Sequence, residues 1–175
     1  MRRKALSATL ILISILLTAS SCRKADDIQI RSEGILPDMV MEKATYVFGR
    51  PDNTPLIITA DRITVYSSSS EVFFENLSFT QENGKLSGSC DSGSSLDEEK
   101  IILSGSVEIY NSEDDIKISA EEVLWDDESK IVTSEGVVKV VFEGKNSIVA
   151  KGFSANMDEN LYEFDIITEG RLDGE

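Results

Sequence analysis

Histidine is absent from this 175-residue chain. Without it there is no Ser-His-Asp triad, no Cys-His dyad and no His-ligated zinc site. Cysteine occurs twice, at Cys22 and Cys90, too few for a disulfide framework. Proline is held to 3 residues and glycine to 11, which excludes collagen-like and low-complexity chains. Basic residues are outnumbered, 17 Lys and Arg against 32 Asp and Glu, a balance of −15. An acidic surface repels phosphate backbones, so nucleic acid is not expected as a partner. No apolar run reaches the roughly 20 residues that a membrane-spanning helix needs. What remains is 41% apolar and 28% charged, the make-up of one globular domain.

The first 21 residues read as a targeting segment. Arg2, Arg3 and Lys4 are followed by a nearly unbroken apolar stretch from Ala5 to Thr18, then by the small residues Ala19-Ser20-Ser21 and by Cys22. That is the charged, apolar and small-residue order of an exported protein. Ala-Ser-Ser-Cys resembles the bacterial lipobox, in which the cysteine is lipidated. An uncleaved anchor with an incidental Cys22, and plain secretion, stay open as alternatives. Cleavage before Cys22 leaves 14 basic against 32 acidic residues, a balance of −18. Residues 22–38 are polar and read as a tether, 39–170 as the folded domain and 171–175 as a tail. Cys90, then a lone thiol, is expected to be a buried, apolar-like cysteine.

From Val40 onward, Val, Ile, Thr, Tyr and Phe dominate, with turn residues between them. The spacing predicts strands at 40–48, 56–66, 71–80, 85–90, 100–110, 116–125, 131–133, 137–142, 147–157 and 161–168. Asp91-Ser92-Gly93 is expected to be a turn. No segment carries a useful helical stripe. The carboxylates of Asp114-Asp115 and Asp126-Asp127-Glu128 are expected at solvated turn tips. They lack the spaced Asp loop of a calcium site, and no metal or other cofactor is expected.

The chain also repeats itself. Residues 58–65 (ITADRITV), 118–125 (ISAEEVLW) and 148–155 (IVAKGFSA) share the pattern apolar-x-Ala-x-x-apolar-x-apolar. A worn copy begins at Leu86, and Gly105-Ser-Val-Glu-Ile resembles Gly136-Val-Val-Lys-Val 31 residues on. Repeats near this length stack on their neighbours. The three-residue step from Ala120 to Val123 reverses strand parity, so Ile118 and Trp125 share a core only if the strand bends or bulges between them. The same bend in each repeat curls the sheet. The fold expected from the pattern is all-β: a curled antiparallel sheet rolled into an elongated body with an apolar lumen.

Together, the N-terminal anchor, ITADRITVY (58–66), LSGSVEIY (103–110), ISAEEVLWD (118–126) and IVAKGFSAN (148–156) resemble the LptC family of lipopolysaccharide export proteins, in the OstA-like β-jellyroll superfamily. The resemblance spans about residues 36–168. It implies a curled antiparallel β-jellyroll, an elongated V-shaped sandwich with an apolar lumen, in a domain facing the periplasm from the inner membrane. That domain takes the acyl chains of lipopolysaccharide or a related glycolipid from an ATP-binding-cassette transporter. It passes them to an LptA-like bridge protein by edge-to-edge strand contact. The family's usual anchor is an uncleaved helix, from which Cys22 departs.

Strand parity nominates an inward set: Ile58, Ala60, Ile63, Val65, Leu103, Val107, Ile109, Ile118, Ala120, Val123, Trp125, Val138, Val140, Phe142, Ile148, Ala150 and Phe153. Each by itself reads first as plain core and second as lipid contact, and a lumen between two sheets makes both true together. Tyr162, Phe164 and Ile166 lie on the final run, a sheet edge open to a partner strand. No convergent polar groups point to an enzyme. The alternative function is a structural β-repeat scaffold that stacks partners on its edges without carrying lipid.

Overall fold

The computed structural model describes residues 36–49, 54–81, 84–95, 99–142 and 145–172. The leader, Cys22 and most of the tether lie outside these residues. Nine strands form one antiparallel sheet in sequence order: β1 (Met39–Phe48), β2 (Leu56–Tyr66), β3 (Glu71–Gln81), β4 (Leu86–Ser95), β5 (Lys100–Asn111), β6 (Ile116–Asp126), β7 (Ile131–Phe142), β8 (Asn146–Asn156) and β9 (Leu161–Arg171). No helix occurs among the described residues.

Every strand from β1 to β8 bends near its middle. The inward residues of β2 are Ile58 and Ala60, then Ile63 and Val65; of β3, Val72 and Phe74, then Leu77 and Phe79; of β6, Ile118 and Ala120, then Val123 and Trp125. Two adjacent side chains face outward at each step, as Asp61 and Arg62 do in β2. β5 and β7 take one residue more: Leu103 is followed by Val107, and Ser134 by Val138. Their registers jump at Ser104/Val107 and Ser134/Val137, the two-against-one pairing of a bulge. Left-handed backbone marks the line at Lys43, Asn76, Gly105, Ser106 and Gly152.

The bends align across the sheet and divide it into two facing halves. Tyr46, beyond the bend of β1, meets the ring of Phe74, before the bend of β3, with centroids 5.5 Å apart. The core lies between the halves and forms one cluster running from Phe48 to Ala155. Each large apolar side chain buried there contributes about 1.5–3 kcal/mol.

Two expectations need correction. Asp91-Ser92-Gly93 is not a turn: β4 continues from Leu86 to Ser95 and bends there, with Cys90 and Gly93 both inward. A Cβ on Gly93 would stand 2.7 Å from Leu77 Cδ2, so the glycine makes room for a side chain of the other half. Residues 131–133 and 137–142 are not separate strands either. They are the two arms of β7, and the outward Glu135 and Gly136 are its bulge.

Candidate functional site

The inner face of the folded sheet is the candidate site. Of the inward set, Ile58, Ala60, Ile63, Leu103, Val107, Ile109, Ile118, Val123, Trp125, Val138, Val140, Ala150 and Phe153 are buried, none more than 4% exposed. Val65, Ala120 and Phe142 are half-buried and pack against them; Ile148 is half-buried. The same face carries residues outside that inward set: Phe48, Leu56, Val72, Phe74, Leu77, Phe79, Leu86, Ile101, Ile116 and Val132. The signal for β3 was present in the step from Phe74 to Leu77, but without the motif's alanine. Trp125 is a core ring, 1% exposed. Cys90 is buried, its thiol gives a hydrogen bond to the Ser92 carbonyl at 3.0 Å, and burial pushes its pKa up to about 11.

The two margins of the sheet meet over this face. One margin carries the turns Ser67–Ser70, Asp127–Lys130 and Met157–Asn160; the other carries Gly49, Lys85 and Ser112–Asp115. Between them lies a recess of about 310 Å³, lined from one side by Gln81, Lys85, Leu86 and Asn111 and from the other by Trp125, Lys130 and Met157, among others. Tyr162, on the first margin, has its phenol raised by burial, and Asn111 from the second margin opposes that shift.

The acidic turns are built by local capping. Asp126 Oδ1 accepts the amides of Glu128 and Ser129 at 3.0 and 3.1 Å, and Asn156 Oδ1 accepts those of Asp158 and Glu159 at 3.1 Å. Burial works against the charge on Asp126, but these amides, the Ser129 side chain and the nearby Lys100 charge together outweigh it and hold the carboxyl below its usual range. Asp127 breaks the expectation of solvated tips. It is 1% exposed, paired with Lys130 Nζ at 2.5 Å and 3.5 Å from Trp125 Nε1. A buried carboxylate needs such partners, and Oδ2 has no hydrogen bond among the described residues. Gly49 lies against it, so close that a Cβ there would stand 2.9 Å from Oδ2.

Both sheet edges are unpaired among the described residues. On β9, Tyr162 and Phe164 turn inward onto the Phe153 ring, at centroid distances of 6.5 and 5.5 Å, while Ile166 is 60% exposed beside Ile167. The three partner-edge candidates therefore share a strand but not a face. On β1, Met39, Val40 and Val47 are exposed. No helix among the described residues is long and apolar enough to cross a membrane.

A sequence model of the family described as "Lipopolysaccharide-assembly, LptC-related" matches residues 5–166. No curated protein matches the chain. Among solved structures, the chain is similar in fold to LptH, described as the LptA homologous periplasmic component of the conserved lipopolysaccharide transport device from Pseudomonas aeruginosa. The identity is 13% and the TM-score 0.56, over 70% of this chain and 90% of that one.

Proposed function

The chain belongs to the LptC-related lipopolysaccharide-assembly family, and from that premise we propose that it carries the acyl chains of lipopolysaccharide, or a related glycolipid, across the periplasm-facing side of the inner membrane. The observation that carries the reading is the continuous apolar inner face of the bent sheet, from Phe48 to Ala155. Several acyl chains cannot cross an aqueous gap exposed, since each methylene returned to apolar surroundings gains about 0.8 kcal/mol. Contacts of this kind lack direction, so they hold a chain and still let it slide. The inward set, from Ile58 to Phe153, is the lipid-contacting face in this proposal. No step in it is chemical, and it calls for no enzyme and no cofactor.

The anchor belongs to the same reading. Lipidated Cys22, the first residue after the leader 1–21, tethers the domain at 39–170 to the inner membrane through residues 22–38. Inner-membrane subunits of an ATP-binding-cassette transporter supply the lipid. An LptA-like bridge protein receives it at the β9 edge, where Tyr162, Phe164 and Ile166 lie. Metabolic labelling with an alkynyl fatty acid tests the anchor: Cys22→Ala loses the label, whereas an uncleaved or secreted protein never carries it. Ile166→Pro tests the edge, with an expected loss of bridge-protein capture of at least tenfold at unchanged circular dichroism. Unchanged capture removes β9 from the proposal.

One observation favours the alternative scaffold: the inward side chains already pack on one another, most of them under 5% exposed. The two readings part on lipid uptake. Full-length protein mixed with fluorescent lipopolysaccharide micelles binds stoichiometrically if the face takes up chains, and does not if the sheet only stacks partners.

A further inference from the structure

The side chains of the inner face pack on one another, most of them under 5% exposed. Uptake, on which this inference rests, requires the two halves to part somewhere. Along the line of bends, parting would break the backbone ladders that run through β1 to β9. The outer trough there, about 680 Å³, has Leu77, Val107, Ala120 and Val137 among Asp91, Glu108 and Glu121, but it opens outward, and passage from it to the inner face would still have to part those ladders. Among the described residues no strand pairing crosses between the margins at the mouth. Side chains meet there, as Asn111 and Tyr162 do, and the left-handed residues of the bend line sit where a hinge would turn.

One place at the mouth combines a recess with a closure. The 310 Å³ recess has polar sides, but Leu86, Trp125 and Met157 form apolar wall, and Trp125 belongs to the core. Beside it the Asp127–Lys130 turn bears on Gly49 across the mouth. Gly49 has φ +113°, a backbone that side-chain-bearing residues avoid, so the close approach is built into the end of β1. Asp127 is buried by this approach, with Lys130 as its ion-pair partner and one oxygen without a hydrogen bond. A buried carboxylate in that state is retained only while the surrounding contacts hold it, and water would solvate it once the turn swung out.

We propose that the seam between Gly49 and the Asp127–Lys130 turn is the portal by which an acyl chain reaches the inner face, with Asp127 and its Lys130 partner as the latch that keeps it shut. Opening exposes Trp125 and Leu86, and the entering chain covers them again, so apolar burial is exchanged and not lost. The occupant is therefore a hydrocarbon chain of an amphiphile whose polar part stays at the mixed rim of Gln81, Lys85, Asn111, Glu113, Lys130 and Asp158.

The test locks the seam. Full-length protein carries Gly49→Cys and Asp127→Cys together with a photoreactive residue at Val140, and purified rough lipopolysaccharide is the probe. Peptide mass spectrometry reports the 49–127 disulfide. Oxidised protein should give at least tenfold fewer lipid adducts at 140 than reduced protein, with recovery on reduction. Equal adducts in the two states, with the bond verified, overturn the portal and leave lipid carriage standing. Failure of the two cysteines to join under oxidant removes the contact and overturns it as well. Absence of adducts even without the cysteine pair sinks lipid carriage, and the portal falls with it. Lys130→Met is the second variant. It frees the turn, and adduct formation at 140 should speed up several-fold at unchanged circular dichroism; an unchanged rate removes the latch.

Discussion

Gly93 and Gly136 have the same chemistry and different surroundings. A methyl on Gly93 meets Leu77 Cδ2 at 2.7 Å, whereas one on Gly136 finds only Ser134 Oγ, at 3.8 Å. Overpacking of this kind costs about 1–3 kcal/mol. Gly93→Ala should lower the urea midpoint accordingly, and Gly136→Ala should leave it within about 0.5 kcal/mol of the parent. Cys90 gives a second residue-scale prediction. Its thiol pKa rises from about 9 to about 11 on burial, so the folded state favours the protonated form. That contribution is intact below pH 9, where the unfolded thiol also keeps its proton, and it is lost as pH climbs from about 9 to 11. Urea titrations at pH 8 and pH 10.5 should show a smaller fall for Cys90→Ala than for the parent. Iodoacetamide should label Cys90 in denaturant and not in the folded protein.

At the scale of the element, the governing rule is an inward spacing of two, three, two, with a four in place of the three in β5 and β7. It was legible in β2, β6 and β8, where alanine marks the bend at Ala60, Ala120 and Ala150. In β3 and β4 the bend falls on Phe74–Leu77 and Cys90–Gly93. There the small and polar residues Asp91, Ser92 and Gly93 have the composition of a turn, and local composition does not distinguish a strand that ends from one that folds over. The buried Asp127 was illegible for a different reason. Asp126-Asp127-Glu128 reads as a solvated tip, and only the approach of Gly49, some 80 residues earlier in the chain, removes the middle carboxylate from water. The rule makes a direct prediction in β3. Phe74 is 1% exposed and its neighbour Phe73 is 42% exposed. Phe74→Ala should cost about 3–5 kcal/mol and Phe73→Ala about 1 kcal/mol or less, as read by urea denaturation. Equal losses would mean that the strand does not reverse parity where the structure bends it.

At the scale of the molecule, the described residues form nine strands of similar length that give two facing half-sheets, one apolar interior and, among those residues, two unpaired edges from a single repeated hairpin. The all-β class, the curl and the inward parity followed from pattern, since burial imposes its period on each strand; the jellyroll came with the family resemblance. The mouth did not, because it joins margins that are distant in sequence. The central claim is that the interior accepts lipid, and one measurement bears on it most directly. Val140 is fully buried and Lys139, next in the chain, is exposed. Photoreactive residues at the two positions, in separate full-length proteins exposed to light in native membranes, sample the inside and the outside of the same strand. The account expects glycolipid adducts at 140 and none at 139. Adducts at neither position, in protein that is folded and membrane-bound, or equal adducts at both, would contradict it.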